Sequence, residues 1–207
     1  MTTSPDPLSR HSSRGSADSQ KARIFKICAE LFAAHGFDSV GVAELCEAVG
    51  LGRGAFYYHV ESKEKILFEI SKGYMEQLNE EAREISSRDL AADELIAELS
   101  KGFMRTLYEN KSEMTVCFRE LHLLGPEYQK IVRNLHRDYN DIWRDVIAKG
   151  VEDKIFRPID SIDLKALLGM YFYSFLWIRP QGSVSASKAA RHFARLVLDA
   201  IKLRSVE

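Results

Sequence analysis

The chain has 207 residues, of which 45% are hydrophobic and 29% are charged, and its formal net charge is −1. This length allows one large domain or a small domain beside a larger one, with enough apolar side chains for a packed core. The balanced charge excludes a histone-like polycation, although a local basic surface would be sufficient for DNA binding.

The first 17 residues are rich in Ser, Pro and Arg and predict a disordered arm. Basic residues outnumber acidic ones between Met1 and Lys26, where Arg10 and Arg14 precede Lys21 and Arg23. Such an arm could contact DNA phosphates or a minor groove, and it is equally typical of a solvated tail. The segment lacks the apolar stretch of a signal peptide, and no later segment is long enough to span a membrane, so we expect a cytoplasmic protein.

Helical periodicity dominates the rest of the chain. Five apolar residues at i, i+3, i+4, i+7 and i+8 predict a first helix with Asp18 as its N-cap and Gly36 at its end: Ile24, Ile27, Cys28, Leu31 and Phe32. Short second and third helices are predicted over 42–49 and 53–59, and Ser62 is a suitable cap for a fourth. Further helices are predicted over roughly 90–109, 112–123, 126–151, 160–178 and 185–203. The expected fold is therefore all-α, with about nine helices and no sheet.

Alternating glycines at Gly50, Gly52 and Gly54 allow two interpretations. A glycine-rich loop that binds a nucleotide phosphate must follow a buried strand and open a long helix. The preceding segment, "VAELCEAV", has apolar spacings of three and four and not two, and the Lys-Ser/Thr pair of a Walker loop is missing. The spacing favours instead a helix-turn-helix, in which Gly50 takes the left-handed conformation of the turn.

Side chains of the second helix in this motif have the chemistry that DNA reading requires. Gly54 would let the helix approach the DNA backbone closely, and Ala55 leaves room for a base edge or a thymine methyl group. Arg53 is the best candidate for direct base contact. Tyr57, Tyr58 and His59 offer hydroxyl and imidazole groups, and Lys63 can meet a phosphate. Core packing of Tyr57, and simple solvent exposure of Arg53 and Tyr58, remain alternatives.

The segment "KARIFKICAELFAAHGFDSVGVAELCEAVGLGRGAFYYHVESKEKILFEI" resembles the N-terminal domain of the TetR family of bacterial repressors. The resemblance implies a three-helix DNA-binding domain over 18–64 and an effector-binding and dimerisation domain over 65–207. It places Gly41 and Val42 at the DNA, at the start of the second helix, and assigns phosphate or flanking-base contacts to Tyr57, His59 and Lys63. The sequence departs from the family pattern in several places. Val40-Gly41 and Gly52 stand where Ser or Thr caps are common, Cys46 replaces a common Ala, and Val60 replaces a usual Phe.

The resemblance also implies a homodimer, formed through the last two helices, that reads a pseudo-palindromic operator on double-stranded DNA. The expected interface residues are Leu164, Leu167, Leu168, Tyr171 and Phe175 on one helix, and Phe193, Leu196, Val197, Ala200 and Ile201 on the other. A small-molecule effector would bind among the fourth to eighth helices. Its candidate contacts are Phe103, Phe118, Arg119, His122, Tyr139, Trp143, Tyr171, Phe172 and Trp177.

The segments "FRPIDSID" and "WIRPQG" are similar to TetR-family repressors of fatty-acid, aromatic-acid and steroid breakdown, whose effectors are often acyl-CoA thioesters. An acyl-CoA is therefore one candidate effector, and a neutral or cationic drug-like molecule is another. No metal site, cofactor or enzymatic activity is expected, because neither a ligand spacing nor a catalytic constellation is visible. An all-α ligand carrier or enzyme without DNA function remains the alternative.

The three cysteines Cys28, Cys46 and Cys117 are far apart, which gives neither a disulfide framework nor a zinc motif. They fit a reducing compartment and are expected to pack as small core residues. A redox role for Cys117 is the minor alternative.

Overall fold

The computed structural model describes the backbone of residues 9–203 and the side chains from residue 19 onward. Nine α-helices lie within the described range, which confirms the predicted all-α fold. In the same range, β pairing is limited to one isolated antiparallel bridge between Phe156 and Lys202. The helices are α1 (Ser9–His35), α2 (Val42–Val49), α3 (Arg53–His59), α4 (Lys63–Ser86), α5 (Ala92–Glu109), α6 (Lys111–Glu120), α7 (Pro126–Glu152), α8 (Ser161–Phe172) and α9 (Ala186–Ile201).

The first three helices enclose a small core of their own, and the bounds of α2 and α3 agree with the prediction. Gly36, with a φ of 86°, ends α1 in the left-handed conformation that glycine adopts without strain. The buried side chains that join the three helices are Ile24, Cys28, Phe32, Leu45, Val49 and Phe56. The periodic apolar positions of the sequence are thus the packed ones.

The start of α1 differs from the prediction. The helix begins at Ser9, inside the segment 1–17 that was expected to be disordered, and Asp18 lies within the helix and does not cap it. The polar residues before Ile24 continue the backbone hydrogen-bond ladder of the packed turns that follow, at a modest propensity cost per residue. Residues 1–8 of the predicted arm lie outside the described part of the chain.

Helix α4 begins as predicted, with the hydroxyl of Ser62 accepting a hydrogen bond from the backbone N–H of Lys65 at 3.0 Å. Its apolar side is buried along the whole length and packs against α1, α5, α6 and α7. The apolar residues that recur at helical spacing along it, Ile66, Leu67, Ile70, Tyr74 and Leu78, are all buried. One helix therefore contributes to both halves of the chain.

The remaining helices form a bundle in which α5 packs on α9, and α7 on α4. The predicted helix over 160–178 ends earlier, at Phe172, and continues as a 3-10 turn over Tyr173–Leu176. There the Ser174 hydroxyl donates to the Tyr171 carbonyl at 2.6 Å, which holds the chain in the tighter turn. Likewise, α6 ends at Glu120 and a 3-10 turn spans Leu121–Leu123.

All three cysteines are buried, as predicted for core residues. Burial raises the pKa of Cys28 and of Cys117 to about 12, so both remain protonated thiols near neutral pH. A search for membrane spans over the described residues finds no helix with the necessary length and apolar character.

Candidate DNA interface and effector region

The turn between α2 and α3 depends on one glycine. Gly50 has φ 72° and ψ 33°, and its N–H donates to the Glu47 carbonyl at 3.1 Å. The next N–H, of Leu51, returns to the Cys46 carbonyl at 3.0 Å, and the Leu51 side chain packs against the core. The turn ends α2 and changes the direction of the chain before α3 begins. This is the helix-turn-helix geometry predicted from the glycine spacing.

Helix α3 is held to the protein by a single buried side chain, Phe56, which is 1% exposed. The other candidate residues of the helix point outward: Arg53, Gly54, Ala55, Tyr57 and Tyr58 are exposed, and His59 is partly buried. Tyr58 is 86% exposed, and Tyr57 is 43% exposed and not packed beneath the helix. An outward surface with guanidinium, phenol and imidazole groups can approach the edges of base pairs and phosphates.

The candidate residues at the starts of α2 and α4 are on average less exposed to solvent than those of α3. Gly41 is exposed at the start of α2, whereas the Val42 side chain packs against the core, so only its backbone is available to a phosphate. Lys63, in the first turn of α4, has its Nζ 4.2 Å above the Phe37 ring centroid. That cation–π contact orients the ammonium group at the edge of the same surface.

A connected group of rings fills the centre of the C-terminal bundle. We call it the aromatic core, and it consists of Phe103, Phe118, His136, Tyr139, Trp143, Tyr171 and Phe172. Ring centroids are 5.2 Å apart for Phe118 and Phe172, and 5.2 Å apart for Trp143 and Tyr171. The aromatic core thus brings together six of the nine predicted effector contacts, and it adds His136.

Polar groups accompany these rings. The Tyr171 hydroxyl shares a hydrogen bond of 2.6 Å with the Ser100 hydroxyl, and both groups are buried. Burial lowers the pKa of His136 to about 4, so its ring is neutral at physiological pH. Sequence reasoning missed Ser71, Tyr74 and Asn79, three buried polar residues of α4 that face this region. Their signal was a polar side chain on the apolar side of a periodic helix.

The other three predicted effector contacts lie outside the aromatic core. Arg119 lies at the junction of α6 and α1, where its Nη2 donates to the Phe32 carbonyl at 2.6 Å. Its Nε donates to the largely buried carboxylate of Glu120 at 2.8 Å. His122 is exposed in the 3-10 turn after α6, and Trp177 is exposed and stacks on Phe193 at a centroid distance of 5.9 Å.

Several polar contacts join the helix-turn-helix half to the bundle, among them that of the Lys26 Nζ with the Glu109 carbonyl at 3.4 Å. Besides donating to Phe32, Arg119 donates to the Ala33 carbonyl at 3.1 Å, at the end of α1. Glu64, in the first turn of α4, accepts a hydrogen bond from the Gly125 N–H at 2.8 Å, just before α7. These contacts therefore connect α6 and the α6–α7 connection directly to the point where the small domain is attached.

Large apolar side chains are exposed on α8, on the 3-10 turn that follows it and on α9. Ile162, Tyr173, Leu176 and Trp177 are each between 62% and 72% exposed, and Leu196 of α9 is 40% exposed. The residues expected at a dimer interface are placed differently, because Leu164, Leu168, Tyr171, Phe175, Phe193, Val197 and Ile201 are buried inside the chain. For these seven residues the expectation is wrong, because their side chains face the bundle of their own chain. Leu167 is only partly buried, and Ala200 and Leu196 are exposed, so these three remain available to a partner.

Comparisons with known proteins place both halves of the chain. Residues 89–201 match the family model "Tetracyclin repressor-like, C-terminal domain", and residues 24–70 match "Bacterial regulatory proteins, tetR family". The HTH-type transcriptional repressor KstR2 of Rhodococcus jostii is 26% identical over 185 residues, which are 88% of this chain and 91% of the relative.

Two solved structures extend the comparison. The TetR family transcriptional regulator PfmR of Thermus thermophilus superposes with a TM-score of 0.81 at 28% identity, covering 86% of this chain and 97% of that one. AibR, in complex with isovaleryl coenzyme A and operator DNA, superposes with a TM-score of 0.76 at 18% identity, covering 86% and 98%. The second likeness is one of fold alone.

Proposed function

The chain belongs to the TetR family of bacterial regulatory proteins, and from that premise we propose that it represses transcription as a homodimer on a pseudo-palindromic operator, from which a small-molecule effector releases it. Members of this family and the relatives found are transcriptional regulators and not enzymes. The observation that carries the proposal is α3, a short helix with one buried anchor and every candidate contact turned outward or to the edge.

In this proposal, α3 enters the major groove and Arg53 reads a base. The absence of side chains larger than a methyl group at Gly54 and Ala55 allows close approach of the helix. Tyr57, Tyr58, His59 and Lys63 contact phosphates or flanking bases. Gly41 and Val42 add backbone contacts at the start of α2. Arg10 and Arg14 would supply a second, sequence-independent source of affinity through contacts with phosphates.

The dimer is proposed to form through exposed apolar residues of α8, of the 3-10 turn that follows it and of α9, namely Ile162, Tyr173, Leu176, Trp177 and Leu196. Several large apolar side chains exposed on neighbouring elements favour burial against another molecule. A two-fold axis through that surface would present two copies of α3 to one face of a duplex, and a palindromic operator reflects the same symmetry. Acting on DNA in this way, the protein would work in the cytoplasm.

Release by an effector requires that the ligand bind more tightly to a dimer whose two α3 helices no longer match the half-sites. The aromatic core is the proposed effector site. A ligand that separates α6 from α4 there would shift Arg119 against the end of α1, and Glu64 against Gly125. Both contacts lie between the effector site and α3, so they would carry the displacement to the DNA-reading helix.

An acyl-CoA thioester is the first effector class to test. The segments "FRPIDSID" and "WIRPQG" resemble repressors of acid and steroid breakdown, and the structurally similar AibR was solved with isovaleryl coenzyme A and operator DNA. Its acyl part would enter the aromatic core, while the charged nucleotide would remain at the surface. A drug-like effector without CoA is the alternative.

The decisive experiment is selection of random genomic fragments by the purified protein, followed by sequencing of the retained DNA. We expect one short pseudo-palindromic site, whose flanking genes indicate the effector. Sedimentation of the same preparation measures the mass of the particle in solution and tests the dimer. We expect the mass of two chains, and the mass of one chain would contradict the dimer. Retention of no sequence above background, by protein confirmed to be free of ligand, would contradict the proposal.

A further inference from the structure

Three polar side chains of α4 are buried without the hydrogen bonds that such groups normally make. The Ser71 hydroxyl, the Tyr74 hydroxyl and the Asn79 carbonyl oxygen have no hydrogen-bond partner among the described residues. Ser71 and Asn79 are fully buried, and Tyr74 is 3% exposed. We call these residues the polar stripe of α4. Unpaired buried groups destabilise the fold, and a native protein that keeps several of them in one place usually uses them.

The polar stripe of α4 faces the aromatic core. The Cys117 thiol lies 3.8 Å from the Ser71 carbonyl oxygen and 3.8 Å from the Nε2 of His136. Cys117 and Tyr139 lie close enough to add to the effect of burial, which raises the pKa of Tyr74. The amide nitrogen of Asn79 donates to the Leu135 carbonyl of α7 at 2.9 Å, so that only its oxygen lacks a partner. The unpaired atoms therefore belong to the same interior as the rings.

This interior offers hydrogen bonds, and the carboxylates beside it are already paired. In the part of the chain that the structure describes, the buried polar and charged side chains are Ser71, Asn79, Ser100, Thr106, Glu120 and Ser174, with no lysine or arginine. The carboxylate of Glu120 is paired with Arg119. The largely buried carboxylate of Glu81, which lines the crevice beside Phe103, is paired with Arg105 and accepts from the Thr106 hydroxyl. His136 is neutral near pH 7, as described above. A charged ligand atom would find no counter-ion here and would lose its hydration without compensation.

The interior is closed in this structure but can adapt. The crevice that reaches Tyr139 and Phe103 between α4, α5 and α7 has no room for a water-sized molecule, whereas typical ligand sites enclose roughly 300–1,000 Å³. Three fully buried methionines, Met75, Met104 and Met114, lie on α4, α5 and α6. Methionine has flexible, polarisable side-chain atoms that repack around a guest more readily than branched residues do.

We propose that the polar stripe of α4 and the aromatic core bind an uncharged, mainly apolar ligand, or the uncharged part of a larger one, through hydroxyl or carbonyl groups on its skeleton. This inference rests on the proposed function, because it names the chemistry of the effector. Ser71 and Tyr74 can donate to a ligand carbonyl, and the Asn79 oxygen can accept from a ligand hydroxyl. The acyl chain and thioester carbonyl of an acyl-CoA satisfy this requirement, and so does a neutral ring ketone.

The first test needs no ligand. Replacing Tyr74 by Phe removes an unpaired buried hydroxyl, so we expect the melting temperature of the ligand-free protein to rise by about 2–4 °C. The matched control is Tyr171→Phe, which removes a hydroxyl bonded to Ser100 and should lower the melting temperature by a similar amount. A fall with Tyr74→Phe as large as that of the control would make Tyr74 a structural group and would overturn the inference.

The second test measures ligand chemistry with four probes of equal chain length: decan-2-one, decan-1-ol, decanoate and decylammonium. The chain has two tryptophans, so in the Trp177→Phe variant the emission reports on Trp143 in the aromatic core. At pH 7 we expect the two neutral probes to shift that emission and to bind at least about tenfold more tightly than the charged ones. Tyr74→Phe and Asn79→Leu should each weaken the neutral probes. Equal affinity for a charged probe, or no shift with any probe, would refute the assignment.

The two proposals fail in different ways. If the ligand-free protein retains a palindromic operator but the neutral probes do not bind, the effector chemistry is wrong and the regulator stands. If the probes bind as expected but no DNA is retained, the ligand site stands and the DNA function is wrong. A further variant, Arg53→Ala, should leave probe binding unchanged.

Discussion

Helix α3 and the aromatic core use similar side chains in opposite ways. In α3, Tyr57 and Tyr58 face solvent and Phe56 alone faces the protein. In the aromatic core every ring is buried or partly buried, and neighbouring rings pack edge to face or tilted. An aromatic residue that faces out of a short helix needs a partner to explain it. A ring that faces the interior is explained by packing alone. Evidence that the aromatic core binds a ligand therefore has to come from the polar atoms beside the rings.

The largest difference between the two regions should appear when the anchor of α3 is removed. Phe56→Ala deletes the side chain that holds this helix and should cost about 3–5 kcal/mol within the small domain. We expect DNA binding to be lost while the bundle keeps its helices. Hydrogen exchange resolved by segment measures both effects. Tyr58→Ala, at an exposed position, is the control and should change stability by less than about 0.5 kcal/mol. Equal protection of α3 in both variants would contradict the single-anchor description.

The aromatic core should respond to acid in a way that α3 does not share. His136 has a pKa of about 4 when folded and 6.5 as its reference value. Because the folded pKa is depressed, the unfolded chain binds the proton first. The contribution of the neutral His136 ring to the free energy of unfolding is therefore complete above pH 6.5. It declines as the pH falls toward 4, by up to about 3 kcal/mol in all.

Urea unfolding at pH 7 and at pH 4.5 measures this effect. The control is His136→Phe, which keeps a ring against Phe118 and Phe172 but cannot titrate. We expect the wild-type protein to lose more stability than the variant between the two pH values. An identical loss in both proteins would mean that His136 is not buried as a neutral ring.

The outward surface should respond to changes that leave the fold intact. Arg53→Ala should reduce specific operator affinity by about 1–3 kcal/mol with no change in melting temperature. Arg53→Lys keeps the charge but loses the two-pronged contact with a base, so it should retain salt-dependent, nonspecific binding and lose sequence preference. Fluorescence anisotropy with the selected operator and with a scrambled duplex separates specific from nonspecific binding. Full affinity and unchanged preference in the alanine variant would remove Arg53 from the reading surface.

The smallest expected effect concerns the turn that sets the angle between α2 and α3. Gly50→Ala places a Cβ in open space, but at a φ of 72°, which costs an L-residue about 1–2 kcal/mol. The control is Gly73→Ala, which also meets no atom within 4 Å and lies inside α4 without a positive φ, so it should leave stability unchanged or raise it by roughly 0.5–1 kcal/mol. Equal melting temperatures for the two variants would show that the left-handed turn is not required.

The sequence predicted the helix-turn-helix closely because its determinants are local. The apolar spacing of α2, the glycine at the turn and the serine cap of α4 each act within a few residues. The placement of Arg119 could not be predicted in this way, since its partners Phe32 and Ala33 are more than 80 residues away in the chain. The unpaired atoms of Ser71 and Tyr74 were equally hidden, because periodicity identifies a buried side but not whether its polar groups find partners.

Helix α4 carries Lys63 at the DNA end and Asn79 beside the aromatic core, about 24 Å apart along its axis at 1.5 Å per residue. The proposed boundary between 18–64 and 65–207 thus falls inside a continuous helix, which leaves no flexible linker to cut. A chimera that joins this DNA-reading half to another effector half must preserve the helical phase across the junction. One extra residue at Gly73 would turn the two ends relative to each other by about 100°, so specificity and response can be exchanged between relatives only in register.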